Sequence, residues 1–201
     1  MKTLTSSLAV ALLAAGALSA CSTSTPGSAG TTSGAQPASW PMTATELAAG
    51  RGGSAHVRNS WVVNGANIAL EYGRPALKGR AEDQMMPAGR PWRTGADAAT
   101  VITTDRPLTF GSTTLQPGTY TINTQPGADQ WQIIFGTLKA PGQWGVPYQA
   151  ALELGRAPMQ RSTASAPAEL LTFHIDRTAG GQALRLEWGT VSVSTPFTVG
   201  G

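Results

Sequence analysis

Cysteine is nearly missing. Cys21 is the only one in 201 residues, so no intrachain disulfide can form and no cysteine-based metal cluster can assemble. Histidine is almost as scarce: His56 and His174 stand far apart, with no His-x-His or Glu-x-x-His spacing beside either, and neither a metal nor a cofactor is expected. Charged residues make up 12% of the chain, with a net charge of +3. That is too little to hold nucleic acid by bulk electrostatics. Long apolar runs are missing as well. The best, from Leu8 to Ala17, spans about ten residues, against the roughly 20 a bilayer-crossing helix needs. No Gly-x-Ser-x-Gly elbow and no phosphate-cradling glycine loop is present, so two common enzyme signatures are absent.

What the chain does carry begins with an address. Lys2, the short apolar run and the small residues Ser19 and Ala20 form the pattern of a secretory signal over residues 1–20. Leu18-Ser-Ala-Cys21 resembles a bacterial lipobox, which implies that Cys21 becomes the lipidated first residue of the mature protein, leaving it no role as nucleophile or ligand. Ser22 after the cysteine leans towards outer-membrane sorting in a cell with two membranes. From Ser22 to Ser39 every residue but Gln36 is Ser, Thr, Gly, Ala or Pro. Such a stretch has nothing to bury and cannot offset its ordering entropy, so residues 21–52 are expected to be a tether. Thr43-Ala-Thr-Glu46 followed by Gly50 has capping-box spacing and predicts a short helix near 44–49.

Beyond Gly53 the period changes to two. Ile68, Leu70 and Tyr72 alternate with Asn67, Ala69 and Glu71, and Asn64-Gly65 precedes them. That dipeptide is the strongest short hairpin signal, because both of its positions need positive φ. Further strands are expected at 99–104, 106–110, 119–124, 130–136, 168–176, 182–188 and 190–199. With 24 Gly and 14 Pro the turns are well supplied, and long-helix folds are disfavoured. The expected fold is all-β: a single antiparallel β-sandwich or jelly-roll-like domain over residues 53–201. Residues 147–166 interrupt the alternation and are expected to be a long connection with a helical turn.

Several stretches resemble one family when read together: Glu71-Tyr-Gly-Arg-Pro75, Lys78-Gly-Arg80, Pro87-Ala-Gly-Arg-Pro-Trp92, Arg93-Thr-Gly-Ala-Asp-Ala-Ala-Thr100, Leu115-Gln-Pro-Gly-Thr-Tyr120, Gln143-Trp-Gly145 and Leu186-Glu-Trp-Gly-Thr190. They resemble the family of exported bacterial proteins catalogued as domain of unknown function DUF2911, over about residues 55–198. The chain departs from that pattern at Gly73, at Glu82 to Met86, at Asp97 where Asn is usual, and at Phe135-Gly136. The resemblance implies export and brings no reaction with it.

The densest chemistry lies between residues 74 and 93. Arg74, Lys78, Arg80, Arg90 and Arg93 fall in twenty residues, with only Glu82 and Asp83 between them. Arginine presents a planar donor fork suited to carboxylate, phosphate or sulfate, and Trp92 adds a platform for a ring. Arg74, Lys78, Arg80, Trp92, Arg93 and Asp97 are therefore the candidate ligand-binding set. The weightier alternative is structural: Arg74 paired with Glu71, and Arg93 with Asp97, would pin the 73–98 connection to the sheet. Of the six tryptophans, Trp131 and Trp188 sit in strand patterns and belong to the core, whereas Trp92 and Trp144 sit in glycine-rich turns and suit a surface.

The expected function is a lipid-anchored cell-envelope protein that binds an acidic or glycan-like ligand, or an envelope protein, without catalysis. A hydrolase-type enzyme around Arg93 and Asp97 is the alternative. It requires Asp97 or Glu71 in a concave pocket with His56 or Arg93, and a perturbed carboxylate pKa.

Overall fold

Alternation organises the sheet. In β2 (Ala55–Val63) the side chains of Val57, Asn59, Trp61 and Val63 are buried, while Arg58 and Val62 between them are exposed. In β3 (Ala66–Arg74), Ala66, Ile68, Leu70 and Tyr72 are buried in the same rhythm. Asn64 and Gly65 join the two strands at φ 49° and 80°, which is the left-handed pair a two-residue hairpin requires. This is a computed structural model of the chain; residues 38–128 and 130–201 are described, so the leader, Cys21 and most of the expected tether lie outside the described residues.

The remaining strands are β1 (Thr43–Ala48), β4 (Ala96–Thr104), β5 (Leu108–Phe110), β6 (Thr113–Leu115), β7 (Gly118–Gln125), β8 (Gln130–Thr137), β9 (Glu153–Thr178) and β10 (Gly181–Val199). They form one ten-stranded antiparallel sheet in the order β1-β2-β3-β4-β7-β8-β9-β10-β5-β6. The only α-helix among the described residues is α1 (Glu82–Met85). The all-β antiparallel reading is correct.

A sheet of this width must curl to bury its apolar face. The long hairpin of β9 and β10 provides the curl. Its ladder slips between Glu187 and Val191, where Gly189 faces Ala168 and Val191 faces Thr163. Extra residues on one strand bend a hairpin and increase its twist. Past the bend, β9 lies over β2 and β3: Phe173 meets Tyr72 edge-on at 5.0 Å, and Asn59 donates to Tyr72 Oη at 3.1 Å. Burial raises the Tyr72 phenol above its ordinary pKa. Residues 38–40 and 75–77 run along this far half of β9, through bridges Ser39–Asp176 and Ala76–Leu170. The core between the layers holds Trp61, Tyr72, Phe110, Phe135, Phe173 and Trp188, all nearly inaccessible. Each such side chain contributes about 1.5–3 kcal/mol by leaving water.

Two local expectations are corrected. Residues 43–48 are strand, not helix: Thr43 pairs with Ser60 and Glu46 with Val57. A single helical turn has little stability of its own, and the free edge of β2 offers backbone partners that β-branched Thr43 and Thr45 suit. Residues 153–166 are not a connection but the first half of β9, paired with β8 from Gln130 to Gly136. The helical turn expected there is reduced to the 3-10 turn Ala150–Leu152.

Candidate functional site

The structure does not gather the expected cations. Arg74 donates through Nε to Leu171 O at 3.2 Å and through Nη2 to Thr172 Oγ1 at 3.0 Å. Lys78 Nζ reaches Gly52 O at 3.4 Å. Arg80 turns back onto its own loop, to Leu77 O at 2.9 Å and Ala76 O at 2.6 Å. Arg93 Nε donates to Gly95 O at 3.1 Å. The acceptors are five carbonyls and the Thr172 hydroxyl, on separate segments of the chain, so the four cations do not converge on one pocket. Arg74 and Arg80 are spent on the 171–172 and 76–77 stretches, while Lys78 and Arg93 reach towards residues 52 and 95. The five donors of an arginine can be spent on backbone carbonyls in place of an anion.

The expected ion pairs are corrected too. Arg74 and Glu71 are three residues apart on one strand, and side chains at odd spacing point to opposite faces. Glu71 accordingly pairs with Arg58, its cross-strand neighbour. Asp97 does not pair with Arg93; its Oδ2 accepts the Arg51 backbone N–H at 2.7 Å. Asp97 itself stands at φ 61°, a left-handed conformation that Asp and Asn tolerate better than most residues. The pinning role survives with other partners. Trp92 exchanges backbone hydrogen bonds with Thr124 at 2.7 and 2.9 Å and stacks on Trp188 at 5.6 Å, planes 6° apart. Trp92 is thereby half-buried and packed against the core, not a free surface platform. Trp131 and Trp188 are core, as expected, and Trp144 is 48% exposed. Gly73 allows the crossing of β3 and β4, since a Cβ there would lie 2.2 Å from Ala96 O.

The concave surface lies elsewhere, on the outer face of β2, β3 and β4. A cavity of about 680 Å³ is lined by Trp40, Pro41, Ser60, Val62, Ala69 and Thr103, with Arg177 at its margin. A second, of about 330 Å³, is lined by His56, Arg58, Glu71, Val101, Thr103 and Gln143. Thr103 lines both, so the two adjoin as one groove. Arg177 lies over the Trp40 ring at 4.3 Å, a cation–π contact. The floor between is small and hydroxylated, with Thr103 and Thr119 hydroxyls 2.9 Å apart. The charges of the groove are the Arg58–Glu71 pair in the smaller cavity and Asp105 and Arg177 in the larger. Trp40 and Trp61 contribute to the walls of the larger cavity, and their indole nitrogens are buried without a hydrogen-bond partner, that of Trp61 on the core side of β2. Buried donors of this kind are uncommon. Ligand-bearing volumes of 300–1,000 Å³ are typical of binding sites.

Sequence reasoning missed this groove because its walls come from segments distant in the chain. Two of its ingredients were within reach. Alternation in β2 and β3 already puts Ser60, Val62 and Ala69 on one face, and Glu71 and His56 both line the smaller cavity. Glu71 is nevertheless held by Arg58, and Asp97 by the Arg51 backbone.

A second polar cluster lies on the face of the β9–β10 hairpin away from the core. Arg185, almost fully buried, pairs with both Asp176 and Glu187, and Ser39 Oγ donates to Asp176 at 2.6 Å. His174 lies 3.5 Å from Glu187. Burial, then the Arg185 charge, lowers its pKa below the ordinary histidine value. This cluster fastens residues 38–40 to the hairpin. Among the described residues no group of three or more His, Cys, Asp or Glu is arranged to hold a metal.

Comparison with known proteins adds a family. The model for the protein of unknown function family DUF2911 matches residues 54–197, and the chain belongs to that family. No curated protein and no solved structure matches it.

Proposed function

We propose, for this member of a family whose description assigns no activity, a lipid-anchored cell-envelope protein that holds a glycan-like ligand in the outer groove of β2–β4 without turning it over. The observation that carries the reading is the groove itself: two adjoining cavities with a floor of Ser60, Ala69 and Thr103 and a tryptophan at its margin. Hydroxyl-bearing side chains match sugar hydroxyls, and an indole matches the apolar face of a pyranose ring. The signal pattern ending at Cys21 supports the anchor, with the mature chain attached to the envelope by its lipid.

One experiment tests both halves. The full chain is expressed in a bacterial host, partitioned between detergent and water, and the detergent-phase protein is titrated calorimetrically with neutral β-1,4-linked oligosaccharides. The expected result is recovery in the detergent phase and saturable binding. Thr103→Phe, which fills the floor shared by the two cavities, abolishes that binding and leaves Tm within about 2 °C, as surface substitutions do. Recovery in the aqueous phase overturns the anchor. Failure of every oligosaccharide, or undiminished binding by the Thr103→Phe protein, overturns the groove. Binding of an extended peptide in place of the sugars overturns the ligand class.

A further inference from the structure

Gln143 lines the smaller cavity and also an adjoining narrow cleft whose walls include Arg93 and Trp144. Trp144 makes an isolated bridge with Ala98, a residue lining that cavity, and its indole is 48% exposed. The Arg51 guanidinium carbon lies 5.6 Å from the indole centroid and that of Arg93 lies 5.8 Å from it. Two cations share one ring.

Arg51 is anchored at its backbone and Arg93 along its stem. The Arg51 backbone N–H donates to Asp97 Oδ2 at 2.7 Å. Arg93 uses its Nε on Gly95 O at 3.1 Å. Its stem passes so close to Gly145 that a Cβ there would lie 2.7 Å from Arg93 Cδ. The outer ends of the guanidinium forks have no such commitment. Among the described residues no carboxylate lies within ion-pairing distance of either one. Lys78 adds a third positive charge close by, its Nζ 3.4 Å from Gly52 O in the same turn as Arg51. Asp97 beside Arg51 and Glu169 beside Lys78 supply two negative charges against these three.

We infer that Arg51, Trp144 and Arg93 form an acid-binding end to the groove, so that the ligand is an acidic glycan whose carboxylate reaches the two guanidinium forks. The inference rests on the groove reading above and sharpens it. Cation–π contact with one exposed indole holds the forks in place before the ligand arrives. A carboxylate then accepts charge-assisted hydrogen bonds from arginines that lack other anionic partners. It also relieves the repulsion of two like charges held beside one ring. Arg74 and Arg80 do not do this, because carbonyl oxygens already occupy them.

The test compares two probes on the full chain: a β-1,4-linked trisaccharide ending in a neutral hexose, and the same trisaccharide ending in the corresponding uronic acid. The wild-type protein is expected to bind the acidic probe about tenfold more tightly at low ionic strength, with the preference shrinking as salt is added. Arg51→Gln removes the preference and leaves the affinity for the neutral probe and the Tm unchanged, because among the described residues the Arg51 side chain makes no hydrogen bond. Arg51→Lys keeps the charge without the fork and retains part of the preference. Equal affinity of the wild-type protein for the two probes overturns the acid site while leaving the groove intact, as does an undiminished preference in Arg51→Gln. Failure of both probes to bind overturns the groove and the acid site together.

Discussion

Over β7 and β8 the outer face of the sheet lies under the 138–152 connection; over β2 and β3 the same face is bare. Under the connection Ile134 is 1% exposed, and Thr121 and Gly136 are buried beside it. The polar groups there are tied down. Glu153 accepts from Arg156 Nε at 2.6 Å and from the Tyr148 hydroxyl, while Arg156 also donates to Gln125 and Gln132 at 2.8 and 3.0 Å. On the bare half Val62 is 61% exposed beside the small, uncharged Ser60, Ala69 and Thr103, and the charged side chains of this face are few: Arg58, Glu71, Asp105 and Arg177. A sheet face left to water normally carries long charged side chains, which also protect it from association. One of these halves is packed and the other is left open, and its small side chains keep the groove empty enough to admit a ligand.

Substitutions on the covered half should have the largest effect on stability. Ile134→Ala leaves a cavity beneath the connection and should cost about 2–4 kcal/mol, read as a fall in the midpoint of urea unfolding. A loss below about 1 kcal/mol would show that the connection rests lightly on the sheet, and the contrast would fail. Glu153→Gln should cost about 1 kcal/mol at neutral pH, since both partners are partly exposed and the pair is screened. Its pH dependence is the sharper readout. Arg156, donating to the Glu153 carboxylate, holds the glutamate pKa below its ordinary value. A depressed carboxylate stabilises the fold above the unfolded-state pKa of about 4.5, and that contribution fades as pH falls through the folded value. The wild-type protein should therefore exceed Glu153→Gln in Tm at pH 7 and converge on it in acid; parallel curves down to pH 2 would rule the pairing out.

How far each half could be read from the sequence follows from its chemistry. Ile68, Leu70 and Tyr72, with Asn64-Gly65 before them, set the β2–β3 hairpin and its register, because alternation and positive φ are local properties. The first half of β9 could not be read. Glu153-Leu-Gly-Arg-Ala-Pro and the Ser, Ala and Thr residues after it have weak strand preference, and only Ala157 and Met159 are buried against the core there. Strand is imposed on that stretch by its neighbours β8 and β10. The site divides in the same way. The separation of Arg74 from Glu71 follows from strand parity alone. The meeting of Arg51 with Trp144 joins residues far apart in the chain, which only the fold can bring together. The motif residues Trp92, Asp97 and Gly145 attract notice in the sequence, and in the structure they mostly hold the 73–98 connection in place.

The smallest stability effect belongs to the bare half. Val62→Ala removes two methyl groups that water already reaches, so little apolar area is lost on folding and no cavity forms. The change in unfolding free energy should stay within about 0.5 kcal/mol, an order below that of Ile134→Ala, although both remove aliphatic carbons from the same face of one sheet. Val62 is nonetheless a wall of the larger cavity, so trimming it should alter oligosaccharide affinity while leaving the denaturation curve in place. A drop in stability approaching that of Ile134→Ala would mean that Val62 is packed in solution by some other part of the protein. The groove would then be closed in the resting protein, and the open half of the face would be structural after all.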